Sequence, residues 1–195
     1  MSKRRGFTLI ELLVVVTVLA LLMALLLPSL KRARTQTKRT VCAANLRQIG
    51  VGLQAYLSEN QDRFPWASFL PSAGPFPLDV DEPVHIADVL MPFLSGEGTV
   101  FRCPDDRPLA RRPAPNTGKS YFESERSSYE YRWRPSLGGK TVTEVANFIE
   151  QFIGRTLADN TLWILRDYDN FHGPGGQAGA RRYLYADGHV TDFEN

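Results

Sequence analysis

The 195-residue chain reads as an α+β protein: one long N-terminal helix whose first half has transmembrane character, with a small antiparallel sheet packed on the helix's C-terminal half. Three observations predict this. Phe7 to Leu30 runs FTLIELLVVVTVLALLMALLLPSL, with Glu11 as its one ionisable residue. Cys42, Leu46, Ile49, Leu53 and Tyr56 then recur at spacings of three and four, the stripe of an amphipathic helix. Toward the C-terminus, short strand-like segments flank an Asp187-Gly188 turn, a strong hairpin signal. A mass of 21.9 kDa leaves room for one domain of ordinary size plus an appendage, and excludes a multidomain machine.

The apolar run has membrane length. A helix rises about 1.5 Å per residue, so about 20 such residues cross a hydrocarbon core about 30 Å thick, whereas a secretory h-region spans only about 7 to 15. No small-residue cleavage site follows the run, because Leu27, Pro28, Ser29 and Leu30 lead straight into Lys31 and Arg32. The span is therefore expected to stay on the mature protein. Lys3, Arg4 and Arg5 precede it and Lys31, Arg32, Arg34, Lys38 and Arg39 follow it, so the positive-inside rule alone does not orient it. Residues 1–39 hold eight Lys or Arg and one acid; fifteen basic and twenty acidic residues remain, a formal −5. A nucleic-acid-binding domain needs excess positive charge on its folded body, so nucleic acid is not an expected partner.

Glu11 carries the functional signal of this segment. A carboxylate on a membrane helix costs several kcal/mol unless it pairs or snorkels to the interface, and by position alone either outcome is open. Its surroundings, Lys3, Arg4, Arg5, Gly6, Phe7, Thr8, Leu9, Ile10, Glu11, resemble the class III signal of type IV prepilins and of type II secretion pseudopilins: a short basic leader, a Gly, then Phe with Glu four positions on, all heading a long apolar helix. The resemblance implies that a prepilin peptidase cuts between Gly6 and Phe7 and methylates the new N-terminus, giving N-methylphenylalanine at Phe7. Cutting creates an α-amino cation one helical turn from Glu11. In that family the Glu of one subunit neutralises the N-terminus of its neighbour inside the filament. Either charge buried alone is heavily penalised, so correct register is favoured. Pro28 removes a backbone hydrogen bond and either kinks the helix, as the resemblance implies, or marks its end.

Beyond the basic cluster the amphipathic stripe carries the helix to about Leu57, with Gly50 and Gly52 as mild interruptions and Ser58, Glu59, Asn60, Phe64 and Pro65 as its end. The stretch CAANLRQIGVGLQAY with NQDRFP resembles a planctomycete-type subgroup of prepilin-like proteins. Cys42 and Cys103 permit one disulfide in an exported head; the alternative is two buried, inert thiols. Zinc is not expected, because neither Cys has a nearby Cys or His in sequence.

In the head, residues 65–118 read as Pro- and Gly-rich loop with one short helix near Val89, Leu90, Phe93 and Leu94. Tyr129, Tyr131 and Trp133 alternate with Glu130, Arg132 and Arg134 as in a half-buried strand. Val142–Ile153 reads as a short helix, Thr161–Arg166 as a second strand, and Arg182–Ala186 with His189–Phe193 as a hairpin. Three or four strands over the second half of a long helix is the pilin layout. The tail FHGPGGQAGARRYLYADGHV resembles the C-terminal signature of the same subgroup, a His followed nine residues later by Asp-Gly; here fourteen residues separate His172 from Asp187.

Asp167, Asp169, His172, Asp187 and His189 could be drawn as a metal cluster. A solvated loop explains them better, since no EF-hand-like run of oxygen ligands appears. No cofactor is expected; calcium is the ion that likeness to calcium-stabilised pseudopilins would suggest. No G-x-S-x-G, H-E-x-x-H or phosphate-cradling glycine loop occurs, so the chain is not expected to be an enzyme.

The expected organisation is a leader at 1–6, a transmembrane and assembly helix at 7–30, and a pilin-like head at 31–195 that includes the helix to about residue 57. The expected role is a structural subunit in a type II secretion pseudopilus or type IV pilus-like filament, single-pass in the inner membrane with a periplasmic or other extracytoplasmic head. Its partners would be prepilin peptidase, copies of itself or other pilin-like subunits, an inner-membrane assembly platform and the lipid bilayer. The alternative is a non-polymerising single-pass protein whose head binds a ligand or metal.

Overall fold

The structure, a computed structural model, describes residues 9–73, 84–96, 98–132, 137–154, 161–177 and 179–192. It divides into two compact units, Met1–Thr37 and Lys38–Asn195. One helix, α1 (Leu9–Glu59), runs through that division. Pro28 lies inside α1, so it does not mark the helix's end. The first unit reaches Thr37 because Lys31 to Thr37 remain exposed, whereas burial begins in earnest at Cys42.

From Cys42 onward α1 buries Cys42, Ala43, Leu46, Ile49, Gly50, Gly52, Leu53 and Leu57, one face of a helix of period 3.6. The two glycines are packing positions rather than interruptions. A Cβ on Gly50 would sit 3.0 Å from Leu184 Cδ1, and one on Gly52 would sit 2.6 Å from Leu94 Cδ2. The helix ends where Asp62 N donates back to the Leu57 carbonyl at 2.9 Å.

Four strands form an antiparallel meander in the order β1 (Tyr129–Tyr131), β2 (Trp163–Asp167), β3 (Arg182–Tyr185), β4 (Val190–Asp192). Ile164, Leu165 and Leu184 join Leu46, Ile49 and Leu53 in one core, and Gln54 Nε2 donates to the Ala186 carbonyl at 3.1 Å. The layout is α+β and pilin-like, a long N-terminal helix followed by a small antiparallel sheet.

β1 departs from the expected half-buried alternation: all three residues are buried. The reason is a charge pair across the register, where Glu130 lies opposite Arg166 and accepts from its Nε, so the acid goes inside with its partner. Trp133 and Arg134 lie outside the described residues. Between residues 65 and 118, the described part holds α2 (Ile86–Leu90) and three 3-10 turns, at Pro71–Ala73, Met91–Phe93 and Gly98–Phe101.

A further helix, α3 (Tyr121–Glu125), was not among the expected elements. Its signal is the capping box of Ser120 and Glu123, whose side chains each accept from the other's backbone N–H. Helix α4 (Val142–Ile153) spans the predicted residues, opened by the same device at Thr141 and Glu144 and closed by Gly154 at φ 69°.

Candidate functional site

Two parts of the molecule carry chemistry that packing alone does not require. The first is the start of α1. Gly6 and Phe7, the predicted scissile pair, lie outside the described residues. Glu11 stands in the first turn and is exposed. Every large apolar side chain from Leu9 to Leu30 is at least 48% exposed. Leu12 to Val16 are consecutive, and at 100° per residue they point to all sides, so no single face is reserved for a core. The few hydroxyls are satisfied inside the helix: Thr17 donates to the Val14 carbonyl at 2.8 Å and Ser29 to that of Leu26 at 2.8 Å. A helix with internally satisfied polar groups and apolar side chains on every side suits lipid. This is one helix long and apolar enough to cross a membrane, with a mean hydropathy of 2.9, and it suggests a membrane anchor.

The second part is a buried cluster in the head. Cys42 on α1 is joined by a disulfide to Cys103, with Cα atoms 5.3 Å apart. Cys103 is held in place because its N–H donates to Ser128 Oγ at 2.9 Å, and Ser128 Oγ in turn donates to Asp106 Oδ2 at 2.7 Å. Asp106 also accepts from the first N–H groups of α3, Tyr121 at 3.0 Å and Phe122 at 2.7 Å. Burial pushes its carboxyl up from the ordinary value, and those hydrogen bonds pull the other way.

Against the disulfide lie Asp167, the last residue of β2, and His172, in the loop that follows. His172 Nε2 is 3.6 Å from Cys103 Sγ and 3.5 Å from Asp167 Oδ2. Its Nδ1 faces Asp105 Oδ2 at 3.3 Å, and Asp105 Oδ1 pairs with Lys38 at 2.5 Å. Arg39 Nη2 donates to the His172 carbonyl. Asp167 accepts from Arg182 N at 2.8 Å through Oδ2, while its Oδ1 has no hydrogen-bond partner and the side chain is fully buried. Burial raises the Asp167 carboxyl well above the usual carboxylate range, against the pull of the Arg182 N–H. Burial also lowers the His172 imidazole, with Asp105 opposing. Both shifts favour uncharged forms, as expected for groups shut away from water.

Of the five residues drawn from the tail, the buried cluster takes in Asp167 and His172. Asp169 pairs instead with Arg111. Asp187 and His189 form an exposed pair at 2.5 Å, with the His189 ring stacked 4.3 Å from Tyr185. What the sequence reading missed is that Cys42 and Cys103 belong to the same cluster: one ligand atom from each of Cys42, Cys103, Asp167 and His172 lies within 4.8 Å of the others. The absence of a close Cys or His in sequence does not carry over into space, because four separate segments supply the four groups. Asp105, which faces the imidazole, was also missed. Its signal was only its place two residues after Cys103.

Residues 1–27 match the family described as the prokaryotic N-terminal methylation motif. No curated protein and no solved structure matches the chain. Coming directly before and into the long apolar helix, the motif fits a type IV prepilin-like protein and implies processing by prepilin peptidase.

Proposed function

We propose that the protein is a pilin-like structural subunit, cut between Gly6 and Phe7, methylated on Phe7, and assembled through α1 into a type II secretion pseudopilus or a type IV pilus-like filament. The observation that carries this reading is the methylation motif over residues 1–27 running into a helix that offers apolar side chains on every side. Before assembly that helix is anchored in the inner membrane, with the head on the extracytoplasmic side. In the filament, helices of neighbouring copies take the place of lipid. The register is chosen by charge: Glu11 of one copy meets the methylated amine of Phe7 on the next, and a slipped helix would leave each charge alone in an apolar bundle. The role is mechanical rather than catalytic, and the inner-membrane assembly platform supplies the machinery.

The test is the mass of the N-terminus of protein recovered from its host. A chain beginning at N-methylated Phe7 is expected; an intact leader would overturn the proposal and leave a single-pass protein with a ligand-binding head. Glu11→Ala is expected to insert into the membrane as the parent does and to lose incorporation into filaments. Normal incorporation would count against the charge pairing.

A further inference from the structure

The buried cluster of the head gathers four metal-ligating atoms within 4.8 Å of one another. His172 Nδ1 faces Asp105 Oδ2 at 3.3 Å, and Asp105 Oδ1 is bonded to Lys38. Its Nε2 faces Asp167 Oδ2 at 3.5 Å and Cys103 Sγ at 3.6 Å. Asp167 Oδ1, with no partner, adds another acceptor in a place sealed from water. Acceptors that converge in a dry interior are stabilised by a cation placed among them.

We propose that, once the Cys42–Cys103 disulfide is reduced, the two sulfurs, His172 Nε2 and an oxygen of Asp167 bind a single zinc ion in a closed, four-coordinate site.

The donor set selects the metal. Two thiolates, an imidazole and a carboxylate suit the borderline-soft, tetrahedral zinc ion, with bonds of about 2.0 to 2.3 Å. Calcium wants six to eight oxygens at about 2.3 to 2.6 Å and finds too few here. The ligand atoms already lie within 4.8 Å of one another, and two thiolates on one tetrahedral zinc stand about 3.8 Å apart, so side-chain rotation suffices to form the site. Its surroundings are those of a metal ligand shell. The Asp105 carboxylate sits on the far nitrogen of the imidazole and orients it, Lys38 fixes Asp105, and the Arg182 N–H fixes Asp167.

The two forms exclude each other. A dithiol reductant passes two electrons and two protons to the disulfide and becomes a disulfide itself, leaving two thiols on the protein. Zinc then binds both as thiolates and Asp167 as a carboxylate; the two thiol protons leave, and the proton that burial favours on Asp167 leaves with them. The head would be closed either by a covalent bond or by a metal, according to the redox state around it. This inference stands apart from filament assembly and survives if that reading fails.

The full chain in detergent micelles, reduced by a phosphine without oxygen, is titrated with cobalt as an optical probe and then with zinc. One cobalt per chain is expected, with thiolate charge-transfer absorption and the visible bands of a tetrahedral ion, displaced by zinc and missing from the oxidised protein. His172→Gln and Asp167→Asn, each checked for a native near-UV spectrum in the oxidised state, are expected to weaken cobalt binding at least about tenfold, as is Asp105→Asn. Failure of the reduced parent to give the thiolate band would overturn the proposal. So would wild-type affinity in both His172→Gln and Asp167→Asn, which would reduce the site to two cysteines. If the reduced chain unfolds without metal, recovery of the native spectrum on adding zinc supports the site, and no recovery refutes it.

Discussion

The two halves of α1 belong to one continuous helix and obey different rules. Up to Leu30 its apolar side chains face every direction and are exposed. From Cys42 to Leu57 most keep to one buried stripe, with Leu46 and Ile49 fully enclosed and Val51 the exposed exception. The second half meets the rest of its own head, the sheet through Leu184 and the loops through Leu94 and Cys103, and buries one face there. The first half is written for an environment that surrounds it. Its apolar side chains are left uncovered by the rest of the described chain, so its contribution to the stability of the head should be small and its contribution to membrane insertion large.

The strongest way to break this contrast is a pair of equal truncations. Leu53→Ala empties a core position and should lower the unfolding free energy of the head by about 2–5 kcal/mol. Leu22→Ala, made in the same chemistry on the first half, should shift it by no more than about 0.5 kcal/mol. Denaturant unfolding in micelles, followed by fluorescence of the three tryptophans, all beyond residue 60, reads the head directly. Similar losses from the two changes would show that the first half also stabilises the head.

A smaller effect sharpens the description of the second half. The disulfide closes a loop with a sequence separation of 61, so the double change of Cys42 and Cys103 to Ser should lower head stability by about 2–4 kcal/mol in the presence of a chelator. A loss below about 1 kcal/mol would mean that the packed stripe alone holds α1 to the sheet.

The smallest effect is one of pH. Burial raises the Glu130 carboxyl above its ordinary value, with Arg166 opposing. Between the unfolded and folded values the folded head binds more protons than the unfolded chain, so this group's contribution falls as pH climbs through that window, the reverse of a carboxylate with a depressed value. Glu130→Gln removes the titration, and its stability relative to the parent should improve from about pH 4 upward. A parent that instead gains on Glu130→Gln over that range would show that the Arg166 pairing outweighs burial.

Local and periodic features are legible in the sequence. The long helix, the extent of α4 and the hairpin around Asp187-Gly188 all follow from spacing and turn chemistry. α3 was equally open to reading through Ser120 and Glu123, but five residues carry too little periodicity to draw notice. Glu130 hides its burial because its partner Arg166 lies across a strand register that sequence does not state. Gly50 and Gly52 looked like weak points until Leu184 and Leu94 supplied the reason for their small size. The cluster around His172 was out of reach for the same cause: its members come from α1, the Cys103 loop, the end of β2 and the segment after it, and only the folded topology brings them together.

The bond between Cys42 and Cys103 also decides how the head bears tension. A pull arriving along α1 reaches Cys42 soon after it enters the head, crosses to Cys103, and continues through the Ser128 anchor toward the first strand without stretching the chain in between. The segment from Ala43 to Arg102, which includes the rest of the helix, is thereby bypassed. It can yield locally under load while the two ends of the clamp stay together.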